Sequence, residues 1–181
     1  DGLDEAGLLD LRYHHLLDAL QGSERADDEP FGGGAGMVLR AEPVARVLDA
    51  ILAAAPADER RVIALTSPAG RRFEQADARR FAALDRLVLI CGHYEGVDER
   101  LAELYPIEEL SLGDFVLTGG EIPALAVMDA TARLVEGVIK AESTAAESFG
   151  PDGALDYPAY TRPAVFRGVS VPEGLLSGDH A

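Results

Sequence analysis

An unbroken apolar run at residues 87–91 (LVLIC) constrains the fold of this chain more than any other feature. A run without polar alternation is typical of a strand that is buried on both faces, as in a parallel sheet covered by helices. A second strand-like run occupies residues 61–65, and apolar residues at helical spacing predict helices over 42–55 and 121–135. Strands that alternate with helices predict an α/β fold with a largely parallel sheet.

Shorter elements are predicted between these strands and helices. Residues 75–84 have the pattern of a short helix, and Ser67-Pro68-Ala69-Gly70 is typical of a sharp turn. The remaining predictions are a weak strand over 8–12, one or two helical turns over 97–104, and short strands over 107–112 and 115–117. From residue 142 onward, proline, glycine and small polar residues dominate, and we expect an extended segment there.

The composition narrows the class of protein. A chain of 181 residues that is 48% hydrophobic suits one globular domain, and no run approaches the ~20 apolar residues of a membrane span. The single cysteine, Cys91, fits a reducing cytosol and is expected to be a small buried residue rather than a nucleophile. No signal peptide opens the chain, which begins at Asp1 and which we interpret as a fragment or a processed chain.

The net charge of −16 argues against a general phosphate-binding surface, because nucleic-acid binders usually have a basic footprint. The acidity fits either adaptation to a salty cytoplasm or the absence of a basic domain. Every basic residue except Lys140 is arginine, and the fork of donors on arginine is able to form a local phosphate site within an acidic chain.

Three loops are expected at the carboxyl ends of the strands, where open α/β sheets bind their ligands. They are residues 67–70, 92–96 and 112–123. Glycines in these loops leave backbone N–H and C=O groups accessible to a ligand. The helix predicted from Glu121 points its N-terminus at the third loop, which favours a ligand carboxylate there. The sequence therefore predicts that the loops together hold one small molecule.

Other candidate residues keep two interpretations each. His93 is either a base or a solvated or helix-packing residue, and the glycines within 32–36 form either a flexible loop or a binding loop. Asp129 and Arg133, four residues apart, predict an ordinary helix ion pair unless Arg133 reaches the loops. The segment 156–163 either clamps a substrate or lies along a neighbouring surface. No second histidine or cysteine has metal-ligand spacing to His93, so no structural zinc site is predicted.

Five sequence blocks occur in an order and spacing that resemble a known family. They are PFGGGAGM (30–37), CGHYEGVDER (91–100), LSLGDFVLTGGEIPA (110–124), LDYPAYTRP (155–163) and VPEGLLSGDHA (171–181). Together they resemble the bacterial tRNA (guanine-N1)-methyltransferase (TrmD) family of the SPOUT class, over nearly the whole chain. The resemblance implies an α/β fold, a parallel-sheet SPOUT methyltransferase domain with a C-terminal trefoil knot. It also implies S-adenosyl-L-methionine as cofactor and a cytoplasmic homodimer without a membrane partner.

The resemblance further implies a reaction and a division of the chain. The reaction is methylation of N1 of the guanine 3′ of the anticodon, position 37, in tRNA; whether magnesium assists it stays open. Residues 1–140 are then expected to be the knotted cofactor-binding catalytic domain without its first strand. Residues 141–181 are expected to be the interdomain linker and the start of a tRNA-binding C-terminal region that is mostly missing. Two alternatives remain: a related SPOUT RNA methyltransferase with another target base, or a homologue that binds the cofactor but is catalytically impaired.

Residue roles carry over to the positions that match the family motifs. The resemblance implies cofactor binding, largely through backbone groups, by Ser67, Pro68, Gly92, Tyr94, Glu95, Gly96, Leu112, Gly113, Asp114, Phe115, Val116, Leu117, Gly119, Gly120 and Pro123. It implies that Arg133 stabilises charge on guanine O6 and that a carboxylate before a Ser-Phe pair removes the N1 proton. That carboxylate is aspartate in the family but Glu147 here, one methylene longer, which puts its reach to N1 in question.

Overall fold

The structure is a computed structural model that describes residues 7–139, 148–149, 153–155 and 157–176. The chain divides into two compact units, Asp1–Ala141 and Glu142–Ala181. In the first unit a short 3₁₀ helix, Leu16–Ala19, precedes the main elements. These are β1 (Asp27–Asp28), β2 (Val38–Leu39), α1 (Ala41–Ala53), β3 (Arg61–Arg72), α2 (Gln75–Ala82), β4 (Arg86–Cys91), α3 (Arg100–Leu104), β5 (Ile107–Ser111) and α4 (Glu121–Ala132).

The main sheet of the first unit is parallel and has the strand order β4-β3-β5. Ile63 of the central strand lies opposite Val88 on one side and opposite Ile107 on the other. Strands β1 and β2 pair separately and antiparallel. The predicted α/β fold with a parallel sheet is therefore confirmed.

Helices cover both faces of this sheet. Neighbouring residues of a strand point to opposite faces, so consecutive residues of β3 pack against different helices. Ile63 packs in one buried cluster with Val44 and Leu48 of α1 and Leu101 of α3. Ala64, the next residue, packs in a second cluster on the other face, whose other members are Phe81 of α2, Leu110 of β5 and Val127 of α4. The two clusters fix the sheet between two helical layers and so hold the ends of its strands in place.

Leu110→Ala is expected to lower the free energy of unfolding by about 2–5 kcal/mol, because it leaves a cavity in the second cluster. Leu110 is 2% exposed, whereas Leu104 of α3 is 70% exposed. Leu104→Ala is the matched control and should change stability by no more than about 0.5 kcal/mol. Urea unfolding followed by circular dichroism measures both, and equal midpoints for the two variants would contradict the assignment of this core.

The structure corrects four details of the sequence-based prediction. Strand β4 exists as predicted, but its side chains are only partly buried, because it is an edge strand of the described sheet. Residues 8–12 and 115–117 are not strands. Neither segment pairs with a neighbouring strand among the described residues. In residues 115–117, the Phe115 N–H donates instead to the Gly113 carbonyl oxygen at 2.9 Å.

The fourth correction concerns the turn predicted at Ser67–Gly70, which is a bulge within β3 rather than the end of the strand. Thr66 and Arg71 both lie opposite Leu110, so the four residues between them leave the ladder with β5. Gly70 then approaches the backbone of Glu109 and Leu110 so closely that a Cβ atom would lie 2.5 Å from the Leu110 nitrogen. The strand consequently continues past the point where the sequence pattern placed its end.

The second unit contains a two-stranded antiparallel hairpin and a short helix in its described part. The hairpin pairs β6 (Val165–Phe166) with β7 (Val169–Ser170), and helix α5 spans Glu173–Leu176. Arg167 and Gly168 form the turn, with φ angles of 50° and 84°, as a tight two-residue hairpin requires. This part of the chain was predicted to be merely extended. Among the described residues, no helix combines the length and apolar character that a membrane crossing requires.

Candidate functional site

The three parallel strands meet at one edge of the sheet, where β4 and β5 end and the bulge at Ser67–Gly70 interrupts β3. Thr66 of β3 lies opposite Cys91, the last residue of β4, and opposite Leu110, next to the last residue of β5. The segments that follow these residues are the three loops predicted to hold a ligand. The sheet register therefore brings the loops together, as expected for parallel strands.

Thr66 is a buried polar residue at the centre of this edge. Its hydroxyl lies 3.2 Å from the Ile90 carbonyl oxygen of β4 and 3.2 Å from the Gly120 carbonyl oxygen before α4, and it donates to these acceptors. It therefore links β3 and β4 to the start of α4. Sequence reasoning missed Thr66. The available signal was a hydroxyl directly after the apolar run at 62–65.

Gly120 lies where a side chain has no room. Its N–H donates to the Gly92 carbonyl oxygen at 2.8 Å. A Cβ atom here would lie 2.7 Å from the Gly92 nitrogen, 2.8 Å from the Cys91 Cα atom, and closer still to the Thr66 hydroxyl oxygen. This position thus requires glycine, and the predicted glycine loops at 92 and 119–120 contact each other directly.

His93 and Glu121 form a polar contact across the same two loops. The His93 Nε2 atom lies 2.6 Å from a Glu121 carboxylate oxygen, and His93 also pairs with Gly119 in an isolated antiparallel bridge. The backbone amide of Glu121, and then the His93 imidazole, hold the pKa of the Glu121 carboxyl below its ordinary value. Burial, and secondarily the Glu121 carboxylate, raises the pKa of the Cys91 thiol, which fits the prediction that Cys91 is not a nucleophile.

The loop at residues 92–96 is also held on its other side. Glu95 donates its N–H to the Met37 carbonyl oxygen at 3.0 Å, and the Gly96 carbonyl oxygen accepts from Leu39 at 2.9 Å. Tyr94 has a φ angle of 58°, rare for a residue other than glycine, and its ring is exposed. Backbone contacts thus anchor both flanks of Tyr94 and leave its side chain accessible at the site.

The glycine-rich loop at 32–36 contacts this site at one residue. A Cβ atom at Gly36 would collide with the Glu95 side chain, whereas Gly32, Gly33 and Gly34 face open space. The choice between a flexible loop and a binding loop at 32–34 stays a prediction.

The third loop begins with a compact turn after β5. The Ser111 hydroxyl donates to the Gly113 carbonyl oxygen at 3.0 Å and lies 3.2 Å from the Gly113 nitrogen, which donates to it. Asp114, one of the residues that the resemblance implies for cofactor binding, lies at the surface of this loop. Its side chain is 95% exposed and pairs with Arg72 at 3.1 Å. Phe115 and Val116 follow with exposed side chains, and Leu117 is at the margin of exposure.

The remaining predicted site residues are placed as follows. Ser67 accepts a local hydrogen bond from Ala69 within the bulge, next to Pro68, and Pro123 lies in the first turn of α4 as predicted. Arg133 lies at the opposite end of α4 from Gly120. At the α-helical rise of about 1.5 Å per residue, the two residues are about 20 Å apart. The structure therefore does not bring Arg133 to the glycine loops of its own chain. Glu147 lies outside the described residues.

The edge of the sheet offers backbone polar groups, close backbone approach at glycines, and exposed aromatic and aliphatic side chains. These properties suit a ligand that combines a flat ring with several polar groups. Within the described part of the chain, no three His, Cys, Asp or Glu side chains are grouped so that they could hold a metal ion. A shallow cleft of about 260 Å³ lies towards the opposite end of the sheet, lined by Leu52, Arg61, Val62, Ile63, Pro106 and Glu108, and contains none of the predicted site residues.

Comparison with known proteins identifies the family. The family model for tRNA (guanine-1)-methyltransferase TrmD matches residues 4–181, which include all of the loops described above. The chain belongs to this TrmD family. Three relatives named tRNA (guanine-N(1)-)-methyltransferase show how close the similarity is. The relative from Geobacter metallireducens is 51% identical over 178 residues, the one from Anaeromyxobacter sp. (strain Fw109-5) 54% over 179, and the one from Streptococcus uberis 50% over 176.

These matches cover nearly all of this chain and a smaller share of each relative. The aligned residues make up 97–98% of this chain and 71% of each of the three TrmD relatives. The resemblance inferred from the five sequence blocks is therefore confirmed at the level of the family. The comparisons do not test the roles of individual residues, which stay predictions.

Proposed function

We propose that this chain methylates N1 of guanine 37, the base 3′ of the anticodon, in tRNA, with S-adenosylmethionine as methyl donor. One observation carries the proposal: in a TrmD family member, loops from three family-matching segments meet at Thr66, Gly92 and Gly120 at the carboxyl edge of a parallel sheet. Ligands of open α/β sheets bind at this edge. Membership of the family supports S-adenosylmethionine as the cofactor, and the geometry of the sheet supports this edge as its site.

The residues of this edge fit the proposed cofactor. Backbone groups around Gly92–Gly96 and residues 112–117 would hold its adenosine part, with Tyr94, Phe115 and Leu117 as apolar contacts. The N-terminus of α4 favours a carboxylate, although the Glu121 carboxylate already occupies part of that position. When bound, S-adenosylmethionine supplies a methyl group on a positively charged sulfur atom.

The chain's own catalytic work is proton removal and charge stabilisation. Guanine N1 carries a proton and is a poor nucleophile until a base removes it, and we assign this step to Glu147. Charge then develops on O6. Arg133 does not reach the glycine loops of its own chain, so it is proposed to donate hydrogen bonds to O6 at the site of a second copy. Orienting N1 in line with the methyl group accounts for much of the remaining rate enhancement.

The proposal includes the finer features of the fold: the SPOUT class and a trefoil knot at the C-terminal end of residues 1–140. Gly120 follows β5 in sequence but lies beside Thr66 of β3 and Gly92 after β4, with a hydrogen bond to each. A chain that crosses back over the sheet edge in this way is what such a knot requires. Residues 141–181 are proposed to form the linker and the start of the tRNA-binding region.

A cytoplasmic homodimer is also part of the proposal. Helix α4 has apolar residues on its buried and its exposed sides, and Ile122 and Leu125 are 63% and 57% exposed. Exposed apolar side chains of this kind favour an interaction surface. A second copy would cover them, and it would bring the other subunit's Glu147 to the cofactor.

The tRNA partner is supported by the second unit rather than by the overall charge. Its described part exposes Tyr157 and Tyr160, and it carries Arg162 and Arg167, within a chain of net charge −16. Exposed tyrosines stack on unpaired bases, and arginines contact phosphates.

Calorimetric titration with S-adenosylhomocysteine, with the mass measured in parallel, tests the cofactor and the dimer. Methyl transfer to an unmodified tRNA transcript, with and without magnesium, tests the reaction, and the matched control is a transcript with adenine at position 37. We expect saturable binding by a dimer and transfer to the guanine transcript only. Transfer to both transcripts would identify a different target base, and binding without any transfer would favour the catalytically impaired homologue.

A further inference from the structure

The contact between His93 and Glu121 joins two segments that are 28 residues apart in the chain. His93 follows β4, and Glu121 is the first residue of α4. Both side chains are about half exposed, at 44% and 55%, so the contact lies at the surface of the site rather than in the core.

The two side chains lie directly over the peptide that leads into α4. A Cβ atom at Gly119 would lie 3.0 Å from the imidazole ring of His93 and closer to the Glu121 carboxylate. Beneath them, the Gly120 N–H donates to the Gly92 carbonyl oxygen at 2.8 Å. The pair therefore packs on Gly119, the residue directly before the hydrogen bond that joins the two glycine loops.

We propose that His93 and Glu121 are a positioning pair that holds the loop at 92–96 against Gly119–Gly120 and so keeps their backbone groups at the spacing the cofactor requires. The inference rests on the proposed cofactor site. It assigns no proton transfer to either residue, because both are engaged with each other.

Energetics distinguish positioning from a general contribution to stability. Exposed ion pairs contribute little to global stability. In contrast, displacing a loop that contacts the ligand by about 1 Å reduces binding or activity by a large factor. The pair should therefore affect cofactor binding strongly and the melting temperature weakly, a combination that a merely structural ion pair does not produce.

A double-mutant cycle tests the pair, with His93→Ala, Glu121→Ala and the double variant titrated with S-adenosylhomocysteine. We expect each single variant to bind S-adenosylhomocysteine about tenfold more weakly than the parent chain. The double variant should bind no more weakly than the single variant of lower affinity, because either single substitution already breaks the one contact between the two side chains. His93→Gln keeps a donor near the Nε2 position and should recover most of the affinity. Arg60→Ala, which breaks an exposed ion pair with Asp85 at the amino ends of β3 and β4, is the matched control and should bind like the parent chain.

Amide hydrogen exchange without ligand gives a second readout that does not depend on the cofactor. The Gly120 amide should exchange at least about tenfold faster in His93→Ala, because local opening of its bond to Gly92 becomes easier. Unchanged affinity and unchanged Gly120 exchange in His93→Ala would overturn the inference, and so would strictly additive effects in the cycle. If the parent chain itself fails to bind S-adenosylhomocysteine, the proposed cofactor site is wrong, and Gly120 exchange alone decides whether the pair holds the loops.

Discussion

Gly120→Ala is expected to weaken the binding of S-adenosylhomocysteine at least about 100-fold, which corresponds to about 2.7 kcal/mol. The added Cβ atom would overlap the Thr66 hydroxyl and lie 2.7 Å from the Gly92 nitrogen. Overpacking of this kind typically costs 1–3 kcal/mol, and the strain is relieved only if the two glycine loops separate. Because the loops form the proposed site, their separation removes the spacing that the ligand requires. Calorimetry measures the affinity, and thermal unfolding reports whether the fold is retained.

Two further variants make this result specific. Gly174→Ala, in α5 of the second unit, is the matched control, because an added Cβ atom meets nothing within 4 Å there. Combining Gly120→Ala with Thr66→Ala removes the overlap with the hydroxyl but not the close approach to Gly92, so binding should recover only in part. A Gly120→Ala chain that binds within threefold of the parent would show that the ligand does not use this spacing.

Glu147→Ala is expected to reduce the rate of methyl transfer by about 10²–10⁴-fold, the usual contribution of a general base. The affinity for S-adenosylhomocysteine should stay within about threefold, because the assigned role concerns the proton on guanine N1 rather than the cofactor. Single-turnover methylation of a tRNA transcript measures the rate. Glu142→Ala removes another carboxylate from the same segment and is the matched control, with no expected change.

The shorter side chain gives the complementary test. Glu147→Asp restores the residue that the family resemblance implies at this position. A large gain in rate would identify the parent chain as an impaired methyltransferase, and a loss would mean that the site is adapted to glutamate. If Glu147→Ala turns over at the parent rate, Glu147 is not the base.

Local sequence patterns were sufficient to predict the larger helices and strands of this protein and the loops that contain its glycines. The apolar run at 87–91 and the helical spacing at 42–55 were sufficient because period and apolarity are local properties of a chain. The glycines at 92, 119 and 120 marked the loops that contact each other at the sheet edge, since a strand end followed by glycine exposes backbone groups wherever it occurs. The order of five motif blocks was sufficient for the family.

The tertiary structure alone decided how these pieces meet. The bulge at Ser67–Gly70 exists because β3 pairs with β5 on both sides of it, and β4 is partly exposed because of its place in the strand order. The hydrogen bond from Thr66 to Gly120 spans 54 residues, and the contact between His93 and Glu121 spans 28. No local pattern encodes such distances. They result from the sheet register, which brings the carboxyl ends of three strands to one edge, and from the lack of a side chain at Gly120, which lets α4 begin there.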